Sequence, residues 1–69
     1  MGAAKKIRMI LLDKDLTARD LSVMAGKSKQ TVYNLLSRDS MSFATVEELL
    51  DAIDCEVVFR DRRTKKLYD

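Results

Sequence analysis

Apolar side chains recur every three to four positions through most of this chain and then, near its end, at every second position. The first regime predicts helices and the second predicts strands. Ile7, Ile10 and Leu11, with Met9 and Leu12 at the flanks, predict a first helix over residues 5–14. Leu21 and Ala25 supply the inward side of a second over about 17–25, and Val32, Leu35 and Leu36 that of a third over about 29–37. Phe43, Val46, Leu49, Leu50 and Ile53 form the stripe of a fourth, from Phe43 or Ala44 to Ile53. At Cys55 the period shortens. Cys55, Val57 and Phe59 alternate with Glu56, Val58 and Arg60, as in a strand with one covered face. Residues 61–64 then read as a polar turn and residues 65–68 as a returning strand. The expected fold is mainly α: four helices followed by a C-terminal β-strand or hairpin.

The joints between these segments carry their own signals. Thr17, Ser28 and Ser42 each stand just before a helical run, where a side-chain oxygen can accept a free backbone N–H. Thr17 and Asp20 have the spacing of a capping box, weakened by Asp in place of the usual Glu. Asp15 follows the first helix and tolerates the left-handed conformation such an exit needs. Leu16 is placed to plug the core behind it. Gly26 marks the turn between the second and third helices, where a left-handed residue is required, and Ser22 is small where those helices must approach closely.

Composition narrows the class. The chain has 69 residues, no Pro, two Gly and a single Cys, which fits one small, mainly helical domain. Its organisation reads as residues 1–54 helical and residues 55–69 a terminal hairpin of the same domain. Residues 1–4 receive no functional role. The apolar runs are too short and interrupted to span a bilayer, no signal-peptide pattern opens the chain, and a lone Cys55 suits a reducing cytoplasm. No histidine is present, so neither a metal cluster nor an activated serine or cysteine nucleophile is expected. Asp13, Asp15 and Asp20 lie near helix ends without partners that define a site, Lys27-Ser28 is a turn and a cap, and Cys55 reads as a small core residue. The expected protein is not an enzyme and uses no cofactor.

Charge is uneven. Residues 1–40 hold eight basic and four acidic residues, whereas residues 41–54 hold four acidic and no basic ones. The last fifteen positions hold five basic and three acidic residues. A basic half opposed by an acidic helix orients the molecule towards a polyanion. The third helix offers Lys29, Gln30, Tyr33, Asn34 and Ser37 outward, and short donors and acceptors on a rigid helix suit the base edges of a DNA major groove.

Ser22, Gly26 and Val32, flanked by Leu21 and Leu35, resemble the helix-turn-helix of the Cro and lambda-type repressor family, often called the XRE family. The resemblance covers about Ile7 to Ile53. It implies a four-helix DNA-binding domain in which Lys29, Gln30 and Asn34 contact bases, with Tyr33 on the same face touching a thymine methyl or a phosphate, or packing on the following loop. It also places Thr17, Ser28, Ser37, Arg38, Ser40 and Ser42 near the phosphates. Two positions depart from the family pattern. Ala18 replaces a phosphate-contacting glutamine, and Lys27 stands where an aliphatic residue is usual, which implies a more open turn.

Many relatives carry a fifth helix where this chain turns to strands. A lone hairpin is marginal in water and leaves a free edge. Pairing with a second copy would cover it, so Cys55, Val57, Val58, Phe59, Leu67 and Tyr68 are read as a dimerisation surface. The expected partners are double-stranded DNA and a second copy of the chain, with no membrane, in the cytoplasm at the nucleoid. The expected role is a regulator, in the repressor sense, on a palindromic operator. The same resemblance implies an alternative, an antitoxin or other protein-binding partner whose hairpin meets a toxin. A further alternative is that the chain is a piece of a longer protein.

Overall fold

A computed structural model describes residues 2–68 and contains four helices followed by a short antiparallel strand pair. The helices are α1 (Ala3–Asp13), α2 (Ala18–Ala25), α3 (Lys29–Arg38) and α4 (Phe43–Ala52); the strands are β1 (Phe59–Arg60) and β2 (Leu67–Tyr68). α2 lies at the centre and packs on both α3 and α4, while α1 packs on α3. The core is one cluster drawn from every helix: Ala4, Ile7 and Leu11, then Leu21, then Val32 and Leu36, then Leu49 and Leu50, closed by Ile53. Ser22 is also buried, and its hydroxyl donates to the Arg19 carbonyl at 2.6 Å, so no polar atom is stranded at the close approach.

Each helix begins and ends for a local reason. Thr17, Ser28 and Ser42 cap α2, α3 and α4, accepting from the N–H groups of Asp20, Thr31 and Thr45. At α2 the capping box is complete, because the Asp20 carboxylate accepts the Thr17 N–H at 2.9 Å in return. Asp is one methylene shorter than Glu but closes the box all the same. All four helices exit through a left-handed residue: Asp15, Gly26, Asp39 and Asp54, with φ of 58°, 67°, 53° and 60°.

Residues 3 and 4 are helical and Ala4 is buried, so the first helix starts two residues before the periodicity placed it. Its N-cap, Gly2, has no side chain to offer. The cap comes from across the chain, where the Asp39 carboxylate accepts the Ala4 N–H at 2.9 Å. Gly2 fits because a Cβ there would collide with that carboxylate.

Three other expectations change. Phe43 does not join the core stripe and is half exposed. Met41 and Val46 on either side of it supply the contacts with the core, and Phe43 stacks on Phe59 instead. Its ring centroid lies 5.8 Å from that of Phe59. The strand expected from Cys55 is formed only at Phe59 and Arg60, paired with Tyr68 and Leu67. Cys55 and Val57 do turn inward, onto the chain's own core, but residues 55–58 have no strand beside them to pair with. Lys65 and Lys66 belong to the turn, since Asp61 N–H donates to the Lys66 carbonyl and Lys65 N–H to that of Asp61, both at 2.9 Å.

Candidate nucleic-acid interface

The turn between α2 and α3 decides how α3 is held. Gly26 N–H donates to the Val23 carbonyl at 3.2 Å and Lys27 N–H to that of Ser22 at 2.9 Å. These are the two bonds of a complete Schellman closure. The turn is therefore closed, not opened, by the lysine after the glycine. Lys27 achieves this because its stem lies half buried while its ammonium reaches out to Glu48 of α4 at 2.7 Å. An aliphatic residue would only pack there; the lysine also ties the turn to α4.

With Val32 and Leu36 buried, α3 presents two parallel rows to solvent, each stepping by four residues. One row is Gln30, Asn34 and Arg38. Gln30 Nε2 donates to Asn34 Oδ1 at 3.2 Å, which links two exposed carboxamides and leaves the Gln30 acceptor and the Asn34 donors without a partner among the described residues. That pattern matches the Hoogsteen edge of adenine. Asn34 and Arg38 also border a shallow hollow with Thr31, Leu35 and Ser40. The other row is Lys29, Tyr33 and Ser37. The Lys29 ammonium lies 5.6 Å from the centroid of the Tyr33 ring. Tyr33 and Ser37 line a groove against α1 and the start of α2, with Arg8, Leu12 and Ala18. Tyr33 thus leans towards α1 and away from the α3–α4 loop.

The expected phosphate residues fall into two groups. Ser28 and Ser42 have their hydroxyls occupied, since each bonds to a threonine hydroxyl one turn on as well as capping the backbone. Thr17 is similarly engaged, and the Asp20 carboxylate sits at the N-terminal end of α2. The Thr17 backbone N–H holds the Asp20 carboxyl below its ordinary pKa, with the Thr17 hydroxyl adding to the effect. That helix end is already supplied with an anion. Arg38 and Ser40, by contrast, are exposed, and neither side chain bonds to a described residue. Arg19, exposed on the first turn of α2, is a cation that the sequence pattern does not single out. Its one signal is the replacement of the usual polar residue by Ala18 immediately before it.

Of the hairpin residues, Cys55 and Val57 are half buried on the core, whereas Val58, Phe59, Leu67 and Tyr68 are exposed. Among the described residues no group of three or more His, Cys, Asp or Glu is placed to hold a metal ion. No helix among them is long and apolar enough to cross a membrane.

A family model described as a Cro/C1-type HTH DNA-binding domain matches residues 6–57. Comparison with curated proteins and with solved structures found no match. The matched span runs from α1 through α4 to Val57 and stops short of the strand pair.

Proposed function

The chain belongs to the Cro/C1-type helix-turn-helix DNA-binding family, and we infer that it represses transcription as a homodimer on a palindromic operator. The observation that carries base reading is the Gln30–Asn34 row, held on the exposed face of a helix whose opposite face is locked into the core. In this reading Lys29, Gln30 and Asn34 meet base edges, with Tyr33 beside them, while Arg38 and Ser40 hold phosphates. Ser28, Ser42 and Thr17 act first as caps, and Ser37 lines the groove at the edge of the contact. The free backbone N–H groups at the start of α3 add an anion-binding end.

One recognition helix covers one half-site. A twofold dimer places two of them about 34 Å apart, one turn of the duplex, and links their binding. The exposed apolar strands, Val58, Phe59, Leu67 and Tyr68, are the surface we assign to that contact, with an open edge for a second copy to pair with. The same four residues support the antitoxin reading, in which a toxin takes the place of the second copy. A protein working on chromosomal DNA in this way resides in the cytoplasm at the nucleoid.

In vitro selection of bound duplexes tests the reading directly. A two-armed palindromic consensus is expected. Gln30→Ala or Asn34→Ala should weaken binding to that consensus by roughly 1–3 kcal/mol and relax base preference within each arm. If both variants stayed folded and bound the consensus unchanged, α3 would not be the reading helix.

A further inference from the structure

The hairpin carries positive charge that base reading by α3 does not use. Between Val58 and Tyr68 stand Arg60, Arg62, Arg63, Lys65 and Lys66 against the single acid Asp61, a net of +4. All five cations are exposed, and none forms an ion pair with a described residue. Asp61 offsets one of the five and leaves the rest unpaired, because its carboxylate is turned back into the turn. There Oδ1 accepts the N–H groups of Arg63 at 2.8 Å and Thr64 at 3.0 Å.

Lys65, within the turn, sits at φ 65°. This left-handed position closes the turn and favours glycine; a lysine there carries a backbone strain that a glycine would not. Strain of this kind persists only where the surrounding structure holds it, here through the Lys65 N–H bond to the Asp61 carbonyl. The Lys65 side chain is one more cation.

Phe59 at the root of the arm stacks on Phe43, with planes 21° apart, and Phe43 opens α4 directly after the loop that follows Arg38 and carries Ser40. The arm is therefore tied to the end of the loop assigned to phosphates. We propose that the basic end of this arm, Arg60 to Lys66, is a second DNA-binding element that grips the phosphate backbone outside the base pairs read by α3. The proposal rests on the DNA-binding reading of α3. Guanidinium forks pair with phosphate oxygens in a bidentate manner, and lysines add point charges that need no fixed geometry. The strands below the turn remain available for self-association.

The test uses the intact chain and a random-sequence duplex, with affinity followed against salt by fluorescence anisotropy. Association state is measured in parallel by sedimentation. The slope of log affinity against log salt falls by about 0.9 for each phosphate contact removed. R62Q/R63Q should therefore flatten it by roughly two, and Lys65→Gly by about one. Lys65→Gly should at the same time raise the melting temperature, because the turn loses its strain. A merely structural role for the turn would not separate these two readouts. Unchanged slopes with intact folds would overturn the proposal and leave α3 as the reading helix. Unchanged slopes with weakened self-association would also overturn it, and would set the cations against the acidic face of a second copy. If the intact chain bound no duplex, the DNA reading of α3 would fall as well.

Discussion

Asp39 has two effects on stability that a short series of variants can separate. It sits left-handed at the exit of α3, and its carboxylate caps the N-terminus of α1 thirty-five residues away. Asp39→Gly relieves the left-handed backbone, a gain of up to about 1 kcal/mol, and removes the cap, a loss of about 1 kcal/mol. The two should nearly cancel. Asp15→Gly is the reference: Asp15 has the same backbone geometry, and its side chain makes no hydrogen bond with a described residue, so only the gain should remain. Asp39→Asn keeps an acceptor and loses the charge near the α1 dipole, costing about 0.3–1 kcal/mol. Gly2→Ala adds a cross-check. Its Cβ would meet the Asp39 carboxylate, so it should destabilise the parent protein and be close to silent in the Asp39→Gly background. Thermal and urea unfolding followed by far-UV circular dichroism can resolve these differences, since 1 kcal/mol moves the midpoint of so small a domain by about 4–8 °C. Equal stabilisation by Asp39→Gly and Asp15→Gly would refute the idea that α1 is capped across the chain.

Arg38→Ala should weaken binding to consensus and random DNA by similar factors and flatten the salt slope by about one; loss confined to the consensus would make Arg38 a base reader. Truncation after Val57 should leave the helices folded and give a monomer in sedimentation, because Cys55 and Val57 stay on the core and the described residues that are lost are exposed. A dimer persisting in sedimentation would move the contact to the helices. The lowered pKa of Asp20 means that its contribution is complete above the unfolded value, near 3.8, and disappears as pH falls through the lower folded value. An acid titration should therefore show Asp20→Asn losing less stability than the parent below pH 3.8; parallel curves would remove Asp20 from the acid response.

Elements whose determinants lie within a few residues of one another are legible in the sequence. The three side-chain caps, the left-handed glycine and the apolar stripes of α2 and α3 are local, and each stands where pattern and propensity place it. What is not legible depends on residues distant in the chain. The start of α1 is set by Asp39, and nothing near Gly2 announces it. Phe43 has the spacing of a core residue, but the ring it stacks on, Phe59, lies sixteen positions further on. Lys27, taken with its immediate neighbours alone, implies a loosened turn, because its partner Glu48 lies twenty-one positions further on. The candidate DNA surface is legible as a set of outward residues. Its division into two rows, and the occupation of the Ser28 and Ser42 hydroxyls by Thr31 and Thr45, follow only from side-chain conformations in the folded chain.

The closed turn at Gly26 has a consequence for kinetics. Both Schellman bonds are made, and the Lys27–Glu48 contact braces the turn from outside, so the angle between α2 and α3 is set before any duplex arrives. Docking then requires little internal rearrangement, and encounter is governed by the charge on the surface. Right and wrong sequences should be met at nearly the same speed. They should differ in residence time, with discrimination exerted after contact through how long the reading helix stays seated.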